Sequence, residues 1–458
     1  MNRGTTENEV TARLAQFIAS AAYSQMPNEA VQAAKKLILD CLGVMLAGSR
    51  ERPSQLVADY VREMGGQESS SVVGRGFRVP ALSAALANGV AAHALDFDDV
   101  TMQRMTGHPS ASMLPALIAV SEELGCSGQS LVASYILAVE TAAKVGAGIN
   151  PNHYELGWHA TATLGTLGAA AGVCWLMGLD EQRIQHALGI AASQASGLRQ
   201  NFGTMTKSLH AGQASRNGVL AASLAAKGFT AEQNILESRF GFFNTFCQGR
   251  FDPERIVGNL GDPYDIVWPG ISIKPYPSCQ GTHWALDAIL GLIADHNISP
   301  DQVERVDVRI PSLFSHMLIH ANPRTGLEGK FSMQYCVATA LVDREVGLRH
   351  FTDDMVHRPQ VRDLISRVAV EVDAGESDSE EPDFSEVEVV LRDGSVLSRR
   401  VTKQRGSPEV PLTQEEVASK YRACAGLALP QDRVEQSLNL IRSLESLDDV
   451  RQLAVLLA

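Results

Sequence analysis

The sequence has few aromatic residues, no dense basic run and no paired cysteines. Only 6% of its 458 residues are aromatic, and 39 Lys plus Arg stand against 52 Asp plus Glu, a formal charge of -13. Because no basic run can neutralise consecutive phosphates, we expect no nucleic-acid partner. The seven cysteines form no C-x-x-C pair, so neither a disulfide framework nor a structural zinc site is expected.

Targeting and membrane segments are also not evident. The first residues, MNRGTTENEV, lack the apolar stretch of a signal peptide, so we expect a cytoplasmic protein. The longest uncharged stretch, Ala160 to Leu179, holds three Thr and four Gly and follows His159 directly. Such polar and small residues favour a buried helix over a membrane span, and we expect no membrane contact.

Several catalytic motifs are missing. The chain has no G-x-S-x-G, G-x-G-x-x-G, P-loop or H-E-x-x-H sequence. The hydrolase, dinucleotide, nucleotide and zinc-protease mechanisms that depend on these motifs are therefore not expected. What remains is acid–base chemistry by ordinary side chains.

Helical periodicity dominates the chain from about residue 8 to 270. Small residues are dense there, as in AALANGVAAHAL, and let helix backbones approach closely. The predicted helices are 28–48, 53–64, 80–96, 109–124, 128–147, 160–178, 180–195, 211–227 and 230–237. After residue 405 helices return at 414–427, 431–444 and 447–457, and this tail is expected to rejoin the first bundle.

The pattern changes near residue 271. Alternating strands are predicted at 303–311, 367–374 and 386–401, with a hairpin at Asp393-Gly394, and helices at 280–296, 330–344 and 358–366. The predicted fold class is mainly α. A large all-α helical-bundle domain (1–270 and 405–458) carries a smaller α+β domain (271–404) inserted before the C-terminal helices. Residues 375–383 are predicted to be a solvated acidic loop without chemistry.

Reactive side chains stand where helices are predicted to start. Pro109 suits the first helical position, which makes His108 the expected N-cap, and His159 precedes the next long helix. Lys207 and His210 are predicted to lie in a Gly-punctuated loop before a small-residue helix. Because helix N-termini carry free N–H groups, several of them together would bind carboxylates.

Each of these residues also has a structural interpretation. A single histidine at a helix start is more often a cap or a packing residue than a catalyst. Asp96, Asp98 and Asp99 could be metal ligands, a carboxylate that orients a histidine, or acidic residues at a helix end. The metal interpretation is the weaker one, because no second carboxylate cluster is obvious. Cys279 lies four residues before His283, without the geometry of an activated nucleophile, and is interpreted as a lining residue.

The motifs in combination resemble the MmgE/PrpD family, which includes 2-methylcitrate dehydratase, cis-aconitate decarboxylase and iminodisuccinate epimerase. They are HALDFDDV, GHPSASMLPA, GWHATATLGTLGAAA, NFGTMTKSLHAG, SRNGVLAA and KPYPSCQGTHW. The resemblance covers nearly the whole chain. It implies a helical domain built from both chain ends, a smaller α+β domain, a homodimer, and an active site with neither a metal nor a cofactor.

The resemblance also assigns residues. Lys207, His159, His108 and Asp96 match the catalytic positions of the family. We assign substrate binding to Lys274, Cys279, His210 and Arg104. Two positions depart from the decarboxylase pattern, Val100 in place of a threonine and Cys279 in place of a histidine, and the segments VTMQRMTG and NFGTMTK look more like the bacterial branch that contains the epimerase.

These residues suit proton transfer at carbon. A desolvated Lys207 would serve as base or acid, His159 would move a proton from another direction, and Asp96 would orient an imidazole. The leading hypothesis is a cofactor-independent lyase for a small anionic di- or tricarboxylic acid, similar to 2-methylcitrate dehydratase. The alternatives are an epimerase of the iminodisuccinate type, a cis-aconitate-type decarboxylase, or a carboxylate-binding protein without catalysis.

Overall fold

The computed structural model describes residues 9–373 and 384–458, which form two compact units. The first unit comprises the described residues up to Asn201, then Met205–Ile273 and Thr413–Ala458. The second comprises Phe202–Thr204 and the described residues of Lys274–Leu412. The predicted acidic loop at 375–383 lies outside the described residues.

The first unit begins with helices and one short hairpin. In chain order the elements are α1 (Val10–Ser20), α2 (Asn28–Gly48), α3 (Arg52–Met64), β1 (Ser70–Val72), β2 (Phe77–Val79), α4 (Ala81–His93), α5 (Pro109–Leu124), α6 (Gly128–Ile149), α7 (Asn152–Glu155), α8 (Ala160–Leu176), α9 (Glu181–Gln194), α10 (Met205–Ala226), α11 (Phe242–Phe246) and α12 (Pro253–Val257).

The second unit combines a mixed sheet with helices. Its elements are α13 (His283–His296), β3 (Val303–Pro311), α14 (Ser312–Ser315), α15 (Gly326–Gly329), α16 (Met333–Asp343), α17 (Asp353–Val356), α18 (Pro359–Ile365), β4 (Val368–Asp373), β5 (Ser385–Leu391) and β6 (Val396–Val401). The strand order is β4-β3-β5-β6, with β3 and β4 parallel and the other two pairs antiparallel. The apolar side chains of β3 and β5 alternate toward the buried face, as the period of two requires.

The chain then returns to the first unit through α19 (Gln414–Ala425), α20 (Gln431–Arg442) and α21 (Arg451–Leu457). Helix α19 packs against α2, where Lys420 lies 2.7 Å from Oδ1 of the fully buried Asp40. The mainly helical fold class with a small mixed sheet is thus confirmed.

Four helices, α4, α5, α8 and α10, form the centre of the first unit. Every residue of α8 from Ala160 to Cys174 is buried, which confirms the interpretation of this stretch as a buried helix. The absence of a side chain brings α4 and α10 together, because a Cβ atom on Gly89 would lie 2.6 Å from Cα of Gly212. Small residues let the helix backbones approach closely here. Backbone atoms rather than large aromatic rings therefore fill this part of the core, in agreement with the low aromatic content.

The structure corrects three local predictions in the first unit. The unit is not wholly helical, since β1 and β2 pair across a turn in which Gly74 and Gly76 adopt positive φ. The helix predicted at 230–237 is absent, because this segment turns back so that Ile235 O accepts from the N–H of Phe242. Helix α10 begins at Met205, six residues earlier than predicted.

One described helix, α6, is long and apolar enough to cross a membrane. The whole of that apolar window is buried inside the structure, which is also what the core helix of a globular unit shows.

Candidate active site

Helix ends of the first unit bring the predicted catalytic residues together. His108 and His159 are the N-cap residues of α5 and α8, as predicted, and neither side chain caps its own helix. Lys207 lies in the first turn of α10 rather than in a loop. The segment that joins α4 to α5, residues 94–108 and called the α4–α5 loop here, contributes Asp96, Asp98 and Asp99.

Asp96 forms an ion pair with Lys207. Its Oδ1 lies 2.7 Å from Nζ of Lys207 and 3.7 Å from Nε2 of His108. Asp96 has φ of 52°, a left-handed conformation that few non-glycine residues adopt, and it ends the turn after α4. Such strained positions persist where the surroundings hold them, and they cluster at functional sites.

Asp98 contacts two imidazoles. Its Oδ2 lies 2.8 Å from Nδ1 of His93 and 3.1 Å from Nδ1 of His108, and its side chain is fully buried. Burial acts to raise the pKa of Asp98, but the two histidines outweigh it and hold the pKa well below its usual range. Asp98 is therefore a carboxylate. The sequence analysis assigned the orientation of an imidazole to Asp96, which lies 3.7 Å from Nε2 of His108, and Asp98 is a second carboxylate next to the same ring.

Asp99 contacts different groups from Asp96 and Asp98. Its carboxyl oxygens accept from the backbone N–H of Ser110, at 3.1 Å, and from the Ser110 hydroxyl, which also contacts Tyr135 OH. Burial raises the pKa of Asp99 to about 8. Asp99 thus caps α5, so an N–H group at this helix start is already occupied by the protein's own carboxyl group.

A row of histidines continues from Asp98. The His93 ring lies 4.5 Å from that of His108 and 5.8 Å from that of His159, centroid to centroid. Nδ1 of His159 lies 3.0 Å from Nδ1 of His210. Burial lowers the pKa of His93 and His210 to about 4, and that of His159 well below 6.5. These three rings are therefore neutral near pH 7.

Three of the residues predicted to bind substrate have the following contacts. The Nε atom of Arg104 lies 3.3 Å from Oδ1 of Asp265, a carboxylate outside the histidine row. Lys274 and Cys279 belong to the second unit, where both are buried and the Cys279 N–H donates to Lys330 O. Substrate binding by Arg104, Lys274, Cys279 and His210 stays a prediction.

Two participants were missed by the sequence analysis. His93 is the last residue of α4, within a run of alanines that marks core helix, and Tyr135 lies in the middle of the apolar helix α6. A usable signal existed for His93, because it opens the same HALDFDDV motif that supplies the aspartates. No local signal distinguishes Tyr135 from a core residue.

The same cluster has the composition of a metal-ligand set. Ligand atoms of His93, Asp96, Asp98 and His108 all lie within 4.8 Å of one another. Nζ of Lys207 already contacts Asp96, however. A metal ion at that carboxylate would have to displace the lysine cation.

Comparisons with known proteins identify the family of the chain. Residues 12–254 match the MmgE/PrpD N-terminal domain and residues 276–446 match the MmgE/PrpD C-terminal domain. The chain belongs to the MmgE/PrpD family.

Three curated relatives show where the chain stands in that family. It is 31% identical to cis-aconitate decarboxylase of Mus musculus over 98% of this chain and 93% of the relative. Identity to cis-aconitate decarboxylase of Homo sapiens is 30%, over 98% and 94%. The mitochondrial 2-methylcitrate dehydratase of Yarrowia lipolytica is 22% identical, over 89% of this chain and 82% of the relative.

Proposed function

We propose that the chain is a lyase that decarboxylates a small unsaturated tricarboxylic acid of the cis-aconitate type. The observation that carries the proposal is end-to-end similarity, at about 30% identity, to cis-aconitate decarboxylases. The 2-methylcitrate dehydratase that the sequence analysis put first is supported by a more distant relative that covers less of the chain. The decarboxylase, an alternative at that stage, is now the better supported reaction.

The chemistry needs few groups. When the bond to the departing carboxylate breaks, its electron pair stays on carbon and spreads onto a neighbouring carboxylate, and one proton must then be delivered to carbon. Next to the histidines, Lys207 supplies a cationic amine, which is paired with Asp96 at 2.7 Å. Its ammonium form can give a proton, while the neutral His159 can donate an N–H hydrogen bond to the developing charge.

Dehydration would require more of the site. It needs a base that takes a proton from carbon and an acid that protonates the leaving hydroxyl, so two groups must act in opposite protonation states. His108 and Lys207 could supply such a pair, and for that reason the test includes a hydroxylated tricarboxylate.

The test is proton and carbon NMR of the purified protein in deuterium oxide with cis-aconitate. We expect release of one CO₂ per substrate and a five-carbon unsaturated dicarboxylate with one deuterium on carbon. Parallel reactions contain 2-methylcitrate, to detect loss of water, and an imino- or aminodicarboxylate, to detect C–H exchange with inversion. Water loss or exchange, with no CO₂ from cis-aconitate, would replace the decarboxylase by the dehydratase or the epimerase, and mere binding of these acids would leave only a carboxylate-binding protein.

A further inference from the structure

The carboxylate of Asp98 fixes the hydrogen positions on two histidines. An ionised carboxylate accepts hydrogen bonds and donates none. The Nδ1 atoms of His93 and His108 both face Oδ2 of Asp98, at 2.8 and 3.1 Å. Each Nδ1 must therefore carry the hydrogen.

The surroundings of His108 lead to the same tautomer independently. Its Nδ1 also lies 2.9 Å from the backbone oxygen of Asp99, a second acceptor. A ring nitrogen that faces two hydrogen-bond acceptors carries a hydrogen, so Nδ1 is protonated. When the ring is neutral, its lone pair is on Nε2, which lies 3.7 Å from Oδ1 of Asp96.

His93 and Thr161 limit how His108 can move. The His93 ring packs against the His108 ring at 4.5 Å with an interplanar angle of 60°, and the backbone N–H of His108 donates to Oγ1 of Thr161 at 3.1 Å. His93 also holds Asp98 in place through the 2.8 Å hydrogen bond. Without His93 the carboxylate would lose one of its two imidazole donors.

We propose that His93 and Asp98 are positioning residues that hold His108 in the Nδ1–H tautomer and aim its Nε2 at the Asp96–Lys207 pair. The proposal takes the histidine row as the catalytic site of the proposed lyase. A proton that moves onto Nε2 forms an N–H bond and makes the ring cationic. The Asp98 carboxylate balances that charge, and loss of the same proton restores the neutral ring.

Two amide substitutions at position 93 separate the roles of the ring nitrogens. In His93→Asn the amide nitrogen is attached at the Cγ position, near the place of Nδ1, and can still donate to Asp98. In His93→Gln the amide nitrogen lies near the place of Nε2, and the donor to Asp98 is lost. We expect His93→Gln to lower kcat roughly 100-fold with KM little changed, and His93→Asn to recover most of that loss.

Asp98→Asn is the complementary variant. An amide that turns its NH₂ group toward Nδ1 of His108 donates to that nitrogen. We expect this donor to outweigh the one remaining acceptor, the backbone oxygen of Asp99, and to move the hydrogen to Nε2. We expect kcat to fall at least roughly 100-fold, as for other wrong-tautomer variants. Gln103→Ala is the control in the same loop, because Gln103 is exposed, and its kcat should stay near that of the wild type. Equal kcat for the two position-93 variants, or a normal kcat for Asp98→Asn, would overturn the proposal.

A spectroscopic measurement keeps the test independent of substrate and of activity. Chemical shifts of ¹⁵N in histidine-labelled protein distinguish a protonated ring nitrogen from an unprotonated one, and a His108→Asn sample identifies the His108 signals. We expect a protonated Nδ1 in the wild type and a protonated Nε2 in Asp98→Asn. A wild-type His108 protonated on Nε2 alone, with Nδ1 unprotonated, refutes the positioning role even if decarboxylation is found. Absence of CO₂ release refutes the proposed function and leaves the tautomer result unaffected.

Discussion

Nζ of Lys207 lies 2.7 Å from Oδ1 of Asp96, and both side chains are buried. The two residues come from different elements, the first turn of α10 and the α4–α5 loop, 111 positions apart in the chain. A buried ion pair is costly to break, because removal of one partner leaves the other charge uncompensated. The pair therefore fixes the amine in the site and ties the strained turn at Asp96 to α10.

The first prediction separates proton transfer from charge neutralisation at Lys207. If the amine transfers a proton, Lys207→Met removes activity by on the order of 10²–10⁴-fold, the usual range for loss of a general acid or base. Lys207→Arg should fail as well, because a guanidinium keeps its charge but does not exchange a proton near neutral pH. The measurement is kcat and KM for both variants on the acid that the wild type turns over.

The matched control is Lys227→Met, which changes an exposed lysine just after the end of the same helix and should leave both constants unchanged. If Lys207 only neutralises a substrate carboxylate, the Arg variant retains turnover and the Met variant mainly raises KM. A near-normal kcat for Lys207→Arg would end the proton-transfer assignment.

His153 provides a prediction about stability and pH. Its Nε2 lies 2.7 Å from Oγ1 of Thr163, and burial lowers its pKa to about 4. Between pH 6.5 and 4 the unfolded chain binds a proton at this position and the folded chain does not, so His153 costs stability increasingly as the pH falls. Nδ1 of His153 donates to Phe246 O, so Nε2 accepts from the Thr163 hydroxyl. His153→Gln, whose amide oxygen can accept in its place, should become more stable relative to the wild type by up to about 1.4 kcal/mol per pH unit as the pH falls. Urea unfolding at pH 7 and pH 5 measures the difference, and a constant difference would contradict it.

Asp99 should show the opposite sign in an overlapping range. Burial raises its pKa to about 8, so between pH 4 and 8 the folded chain keeps a proton that the unfolded chain has released. The contribution of Asp99 to stability therefore falls as the pH rises. Asp99→Asn cannot ionise, so its unfolding free energy relative to the wild type should increase from pH 5 to pH 8. A relative stability that stays constant over this range would mean that Asp99 is already ionised in the folded chain.

A buried cluster of charged residues around Lys144 provides a further prediction. Nζ of Lys144 lies 3.7 Å from Oε1 of Glu140 and 3.5 Å from Oδ1 of Asp265, and all three residues are buried. Lys144→Met leaves two carboxyl groups without this cation, and we expect a loss of about 3–5 kcal/mol in urea unfolding. The double variant Lys144→Met/Glu140→Gln removes one of the two acids and should recover part of the loss. No recovery would show that the carboxyl charges are not the cause.

The helices were predictable wherever a local signal marks their ends. Pro109 after His108, and Asn28 with Gly48, gave bounds that the structure reproduces. The first turn of α10 carries no such mark. Lys207 and Ser208 follow Gly203 and Thr204 in the sequence, and both are buried in a helix that starts at the exposed Met205. The segment 230–237 shows the reverse, because its helical pattern yields to hydrogen bonds with Phe242 and Phe243.

The site was predictable in its members more than in its pairing. Motifs indicated Asp96, His108, His159 and Lys207 individually, and three adjacent acidic residues were left with several possible roles. Which aspartate meets which partner depends on the path of the α4–α5 loop, including the positive φ of Asp96. Side-chain periodicity carries no information about such a turn. Which aspartate contacts which partner therefore follows only from the three-dimensional structure.

The last prediction concerns assembly, which the family resemblance led us to expect as a homodimer. Aromatic residues are scarce in this chain, yet Phe240 is 84% exposed, Trp268 63% and Phe229 57%. Large exposed apolar side chains of this kind are common in surfaces that bind another chain, and an obligate homodimer typically buries more than ~2,000 Å². We expect light scattering at micromolar concentration to give twice the chain mass of 49.2 kDa.

Phe240→Ser and Trp268→Ser should shift the equilibrium toward the monomer if these residues lie in the interface. Tyr60→Ser, on α3, serves as an exposed aromatic control. A wild-type mass of one chain would refute the dimer, and a wild-type dimer that neither Ser variant weakens would place the interface on another surface.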